Sequence, residues 1–155
     1  VGIPTSYYQK SPFELSGGEK RRVAIAGILA MEPQILILDE PIAGLDPQGI
    51  QEIMGLFKSI HQKGVTIILV SHDMDVVLEY ASDVVVLVKG EVVKSCKPYE
   101  IFLDEENFAK LSIEEPLVIK MAKKLNSSNK YHIDLEKVKD IDTLVEQIAK
   151  EVSYE

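Results

Sequence analysis

Cysteine is almost missing from this sequence, and its scarcity excludes two kinds of site. Cys96 is the single cysteine, so the chain can form neither an internal disulfide nor a metal cage built from thiolates. Such sparing use of cysteine fits a protein of the reducing cytoplasm. Tryptophan is absent, and no apolar run approaches the roughly 20 residues that a membrane-spanning helix needs.

Positive charge is also in short supply. The sequence has 17 lysine and arginine residues against 25 aspartate and glutamate residues, which gives a formal net charge of −8. This balance disfavours non-specific binding to nucleic acid or to anionic lipid, and we expect no nucleic-acid partner. The only compact basic run is Lys20, Arg21 and Arg22.

The composition is that of a folded protein. With 155 residues, of which 46% are hydrophobic, the chain is long and apolar enough for one domain with a core. No signal peptide is visible at Val1. Because Val1 is not a methionine, we expect that it is not the natural start of the protein.

Two adjacent carboxylates follow a short apolar run near the centre of the chain. The run from Ile35 to Leu38 predicts a strand buried on both faces of a parallel sheet, and Pro41 ends it. Asp39 and Glu40 then lie at the carboxyl end of the strand, where ligands bind in open α/β sheets. One carboxylate could hold Mg²⁺ through water while the other activates a water molecule. An isolated Asp-Glu pair is more often part of a solvated turn, so the neighbouring motifs decide whether this pair is functional.

The flanking patterns predict alternating helices and strands. Ser16 and Glu19 form a capping box that starts a helix ended by Pro33, and a strand, a helix and a second strand then indicate a parallel βαβ unit. Beyond Lys97 the composition shifts, which predicts an α/β part over residues 1–97 and a helical extension over residues 98–155. The remaining predicted elements are helices at 47–63, 73–80, 98–103, 116–125 and 138–152, and strands at 65–70, 84–88 (buried) and 92–95.

Taken together, the motifs resemble the ATP-binding-cassette (ABC) ATPase family. The family's signature motif is matched by Leu15-Ser16-Gly17-Gly18-Glu19, and its Walker B strand by Asp39-Glu40 with the preceding strand. Its D-loop is matched by Ala43-Gly44-Leu45-Asp46, and its switch histidine by His72. The resemblance covers about residues 11–102 and implies a partial P-loop NTPase core with a parallel sheet. Residues 21–33 are similar to the ATPase subunits of energy-coupling-factor transporters, which import vitamins or ions such as cobalt and nickel.

The resemblance implies a role for each matched residue. Glu40 and His72 would be catalytic: Glu40 would polarise the attacking water, and His72 would contact the γ-phosphate of ATP. Asp39 would hold Mg²⁺ through water. The signature, whose helix start is an anion site by itself, would in this family meet ATP bound by a second ATPase subunit, and Asp46 would link the two sites. The expected nucleotide-binding residues are Leu15, Ser16, Gly17, Gly18, Glu19 and Asp46.

The sequence departs from the family pattern in three places. Glu19 stands where Gln is common, and Ile42 where Thr or Ser is usual; neither change removes a chemical role. No Gly-x-x-x-x-Gly-Lys-Ser/Thr phosphate loop is present, and no Gly-Lys dipeptide occurs anywhere. We therefore expect this chain to be the C-terminal part of a longer ATPase, and to be inactive by itself.

Three interpretations of function remain open. The first is an ATPase subunit of an importer, peripheral at the cytoplasmic face of the membrane, with a second ATPase and an integral membrane protein as partners. The second is an ABC ATPase of DNA repair or translation, and the third is a catalytically inactive interaction module. In the extension, an apolar stripe at helical spacing predicts either a subunit contact or packing on its own domain; it consists of Ile141, Leu144, Val145, Ile148 and Val152.

Overall fold

The computed structural model describes residues 1–103 and 113–152, which divide into two compact units, Val1–Ser71 and His72–Glu155. The first unit contains α1 (Gly17–Leu29), β1 (Ile35–Asp39), α2 (Pro47–His61) and β2 (Thr66–Val70). The second contains α3 (Met74–Tyr80), β3 (Val84–Val88), β4 (Glu91–Cys96), α4 (Leu117–Ser127) and α5 (Ile141–Val152). Short 3₁₀ turns lie at Thr5–Tyr7, Pro12–Glu14, Pro98–Ile101 and Leu135–Lys137.

The first unit contains the predicted parallel βαβ arrangement. Strands β1 and β2 pair in parallel from Ile35 opposite Thr66 to Asp39 opposite Val70. Helix α2 connects them and buries one apolar face, made of Ile53, Met54, Phe57 and Ile60. The helix ends before Gly64, whose φ of +92° suits glycine at the turn into β2.

Strand β1 is buried on one face only, so the prediction that both faces are buried is wrong. Leu36 and Leu38 are buried, whereas Ile35 and Ile37 are 58% and 67% exposed. The described residues supply two strands to this sheet and leave its second face open to solvent. A run of branched residues identifies a strand but does not say how many layers cover it.

The second unit begins with a short helix and a hairpin. Strands β3 and β4 pair in antiparallel fashion, with an irregularity between Val86 and Leu87, and turn at Lys89 and Gly90, both of positive φ. The prediction that Val84–Val88 is buried is wrong, because Val85 and Leu87 are 56% and 64% exposed. The strand belongs to a two-stranded sheet of its own and does not join β1 and β2.

The core of the second unit joins the hairpin to the C-terminal helices. Its largest fully buried side chains are Ile101, Phe102, Ile119, Val138 and Leu144. Val84, Val86 and Cys96 of the hairpin pack against this core. The structure thus groups residues on both sides of Lys97 in one unit, while the predicted division of function between residues 1–97 and 98–155 stays a prediction.

The last helix starts later than its apolar pattern predicts. Helix α5 begins at Ile141 instead of residue 138, because the Asp140 carboxylate accepts a hydrogen bond from the Thr143 N–H at 2.8 Å and starts the helix there. Val138 precedes this start and is fully buried. The stripe on α5 divides: Leu144 is buried and Ile148 packs against the core, whereas Ile141, Val145 and Val152 are more than half exposed.

Candidate functional site

The N-terminus of α1 is closed by the predicted capping box. The Ser16 N–H donates to Glu19 Oε2 at 2.7 Å, and the Glu19 N–H donates to Ser16 Oγ at 3.3 Å. The first of these bonds is the main cause that lowers the pKa of Glu19 below its ordinary value. Glu19 is therefore an anion at neutral pH and holds the first turn of the helix in place.

The capping box leaves two backbone donors of α1 available. The first four N–H groups of a helix have no partner within it, and here the box occupies those of Ser16 and Glu19. Within residues 1–103 and 113–152, the N–H groups of Gly17 and Gly18 have no hydrogen-bond partner. Two such donors at the positive end of the helix dipole are suited to binding an anion.

Packing does not explain why residues 17 and 18 are glycines. A Cβ added at Gly17 or at Gly18 would meet no other atom within 4 Å, and neither residue has a positive φ. With glycine at both positions, no side chain of residue 17 or 18 can cover the backbone N–H groups. Leu15, the first residue of the motif, is buried.

The carboxylates predicted for chemistry lie at the edge of the β1–β2 sheet. Asp39 is the last residue of β1 and is exposed, and Glu40 follows it, half-buried. The Glu40 N–H donates to the Val70 carbonyl at 2.9 Å and the Glu40 carbonyl accepts from the Ala43 N–H at 3.2 Å. Both backbone groups of Glu40 are thus fixed at the point where β1 and β2 end.

Glu40 has an unusual backbone conformation. Its φ is +46°, in the left-handed region that residues with a Cβ rarely adopt. Glu32, Lys89 and Asn129 share a positive φ, but Glu40 combines it with the carboxyl end of a parallel strand. Backbone strain of this kind is typical of functional sites, where it aims a side chain.

Asp46 serves as a helix cap in this structure. Its Oδ1 accepts a hydrogen bond from the Gly49 N–H at 2.8 Å, and Pro47 follows at the first helical position. Gly44, with φ of +74°, makes the turn between Glu40 and this cap. The predicted D-loop is therefore a short connection tied at Glu40 on one side and at Asp46 on the other.

His72 is the first residue of the second unit, whereas the other predicted site residues belong to the first. It is exposed and directly precedes Asp73, whose Oδ1 accepts from the Val76 N–H at 3.1 Å and caps α3. The two remaining histidines, His61 and His132, are exposed. The structure thus brings Leu15 to Asp46 together in one unit and places His72 in the other.

Two arginines of α1 were not predicted to have a structural role. Both guanidinium nitrogens of Arg21 donate to the Ala43 carbonyl, at 3.3 and 3.4 Å. Arg22 pairs with Glu52 of α2 at 2.5 Å. The sequence showed only a basic run, and no feature of residues 43 or 52 marks them as its partners.

The chemistry of the donors suits Mg²⁺ only if phosphate and water complete its shell. Among the described residues, no group of three or more histidine, cysteine or acidic side chains could hold a metal ion. Mg²⁺ is commonly bound by one or two carboxylates together with water and substrate phosphates. Asp39, exposed at the sheet edge, fits that limited role.

The chain is similar to one protein-family model and to curated proteins. Residues 8–79 match the family model described as "AAA domain, putative AbiEii toxin, Type IV TA system". The chain is 55% identical over 125 residues to the energy-coupling factor transporter ATP-binding protein EcfA2 of Streptococcus pneumoniae, which covers 81% of this chain and 45% of that protein. It is 46% identical over 156 residues to the protein of the same name from Mycoplasma pneumoniae, at 99% and 52% coverage.

Solved structures give the same fold. The chain is 43% identical to cbiO1 of Clostridium perfringens, described as part of the ABC transporter complex cbiONQ, with a TM-score of 0.57 and coverage of 74% of this chain and 46% of that one. A nucleotide-free ATP-binding cassette from an ABC transporter matches at 27% identity and a TM-score of 0.62, covering 70% and 44%. The chain spans about half the length of the curated relatives it matches.

Within the described residues, no helix is both long and apolar enough to cross a membrane.

Proposed function

This chain belongs to the ABC ATPases, with energy-coupling-factor ATP-binding proteins among its relatives, and from that premise we propose that it is part of the ATP-hydrolysing subunit of such an importer. The whole protein would pair with a second ATPase subunit and with an integral membrane protein, at the cytoplasmic face of the membrane. Hydrolysis would drive the uptake of a vitamin or of a transition-metal ion such as cobalt. Alone, the chain would be inactive.

One observation carries the nucleotide part of the proposal. The capping box of α1 occupies its own donors and presents the N–H groups of Gly17 and Gly18, with no side chain to hinder a phosphate. Such a site can complete a phosphate cage but cannot build one, because it has no lysine or metal ligand of its own. We propose that it acts on ATP held by the partner ATPase, with Ser16 adding a hydroxyl.

Glu40 and Asp39 would serve a different part of the reaction. Glu40, with its backbone fixed on both sides, would orient water and take its proton. Asp39 would hold Mg²⁺ through water, and a bound Mg²⁺ would neutralise charge on the phosphates. His72 would contact the γ-phosphate, and Asp46 would link the two ATP sites; both roles follow from the family resemblance.

The catalytic part is tested by Glu40→Gln in the longest natural polypeptide that contains these residues. The amide keeps the shape of the side chain but loses its basicity, so turnover should fall by about 10²–10⁴-fold while ATP binding persists. Glu91→Gln, which removes an exposed carboxylate at the start of β4, is the matched control and should retain the parental rate. Parental turnover in Glu40→Gln would exclude Glu40 as the base.

The shared site is tested by Gly18→Asp. A carboxylate beside the N–H groups of the first turn should repel the γ-phosphate and abolish ATP-dependent dimerisation. Gly27→Asp is the control, since an added Cβ at Gly27 also meets no atom within 4 Å. Undiminished dimerisation of Gly18→Asp would remove the signature from the phosphate site.

Partner capture tests the transport part. Co-purification with an integral membrane subunit supports the importer, whereas ATP-dependent binding to DNA or ribosomes would favour a non-transport ABC ATPase. Partner binding that does not depend on nucleotide, in a protein without turnover, would favour the inactive module.

A further inference from the structure

The carboxylate-bearing turn is attached to the signature helix by a side chain that the proposed chemistry does not use. Arg21 lies in the second turn of α1, and both of its terminal nitrogens converge on the Ala43 carbonyl at 3.3 and 3.4 Å. Ala43 stands three residues after Glu40, and its own N–H donates to the Glu40 carbonyl at 3.2 Å. A series of hydrogen bonds therefore runs from Arg21 of α1 through Ala43 to Glu40.

The neighbouring arginine, Arg22, holds a different element. Arg22 pairs with Glu52 of α2 at 2.5 Å, and Gln48 also donates to Glu52, at 3.3 Å. Two successive side chains of α1 thus hold two elements: Arg21 holds the turn, and Arg22 holds α2, the helix that follows it. Because Arg22 fixes α2, we assign the position of the turn to the contact between Arg21 and the Ala43 carbonyl.

The guanidinium group suits this task better than an ammonium group would. Its planar fork places two N–H donors toward one acceptor, and its charge persists at any physiological pH. Such a contact is useful beside Glu40, because its left-handed φ of +46° is one that residues with a Cβ rarely adopt.

We propose that Arg21 is a positioning residue, which holds the turn at Ala43 so that Glu40 keeps a fixed place relative to the Gly17–Gly18 anion site. The inference rests on the proposed function for its catalytic consequence, but its structural claim does not. Arg21 touches neither phosphate nor water in this scheme. It acts through the backbone of the turn.

Amide hydrogen exchange in the complete subunit tests the structural claim. In Arg21→Ala, exchange of residues 40–46 should speed up by about threefold to tenfold, the range expected for losing a hydrogen bond of ordinary net strength. Arg21→Lys should fall in between, because one ammonium can still reach the carbonyl without the fork. Lys20→Ala, which removes an adjacent exposed positive charge, should leave exchange in residues 40–46 unchanged.

Steady-state kinetics test the catalytic consequence. The kcat of Arg21→Ala should fall by a similar factor with little change in KM for ATP, with partial recovery in Arg21→Lys and an unchanged melting temperature. Unchanged exchange in Arg21→Ala overturns the inference, and so does faster exchange with parental kcat. Should the parent protein neither bind nor hydrolyse ATP, the proposed function fails, while exchange at residues 40–46 still decides whether Arg21 holds the turn. If Arg21→Ala does not fold, Arg21→Lys carries the same comparison.

Discussion

At the residue scale, the start of α1 shows how two side chains can close the first turn of a helix. Ser16 and Glu19 satisfy each other's N–H groups, while those of Gly17 and Gly18 have no hydrogen-bond partner among the described residues. The capping box could be predicted from the spacing of Ser and Glu, because it depends on local geometry alone.

The capping box should weaken in acid. The pKa of Glu19 lies below its ordinary value of 4.5, so its ionised form stabilises the folded protein above that pH, and this contribution is lost as pH falls through the lowered pKa. Glu19→Gln should therefore differ from the parent in thermal midpoint at pH 7, and the difference should shrink below pH 4.5. Melting curves across this range, with Glu91→Gln as the control variant, check the expectation. A difference between Glu19→Gln and parent that does not vary with pH would contradict it.

Positions of residues that depend on distant partners were less accessible to prediction. Asp39 and Glu40 were located by the end of an apolar run, and Asp46 by the resemblance to a family motif. The left-handed φ of Glu40 and the contact of Arg21 with Ala43 were not foreseen. Both depend on where the chain returns in space, and neither residue type nor local spacing carries that information.

At the scale of elements, the boundaries of helices and strands agree with those predicted from the sequence where a cap or a glycine marks them. Asp46, Gly64 and Asp73 mark the ends of elements as predicted, since a cap or a glycine acts on its own backbone. The burial of side chains was not predicted as well from the sequence. Ile37 and Leu87 look like interior residues, yet each is more than 60% exposed, because burial is decided by which layers a sheet receives.

The apolar stripe of α5 separates into a core side and an open side. Leu144→Ala should destabilise the protein by about 2–5 kcal/mol, because the fully buried side chain would leave a cavity. Val145→Ala, on the next residue but 54% exposed, should stay within about 0.5 kcal/mol. Urea unfolding of both variants measures the difference. Loss of subunit pairing in Val145→Ala at unchanged stability would favour the subunit-contact interpretation of this stripe, whereas unchanged pairing would favour packing on its own domain.

At the scale of the whole molecule, the first unit presents an open apolar sheet face. Ile35, Ile37, Ile68 and Val70 are each about half exposed or more, on two strands that pair only with each other among the described residues. Parallel sheets are ordinarily covered on both faces, and two strands alone are marginal in water. The chain also spans about half the length of its curated relatives. These facts agree with the proposal that ATP is held by groups in addition to those of these 155 residues.

The isolated 155-residue chain should therefore bind MgATP only weakly, with a dissociation constant above about 1 mM, equivalent to less than about 4 kcal/mol. The N–H groups of Gly17 and Gly18 can meet a terminal phosphate, but no phosphate loop or its lysine is present to hold the β- and γ-phosphates. Titration calorimetry with MgATP, on chain shown to be folded by circular dichroism, measures the affinity. The complete subunit in the same buffer is the positive control. Micromolar affinity of the isolated chain would mean that these residues hold a complete nucleotide site, and the assignment of Gly17 and Gly18 to ATP bound by a partner would then be wrong.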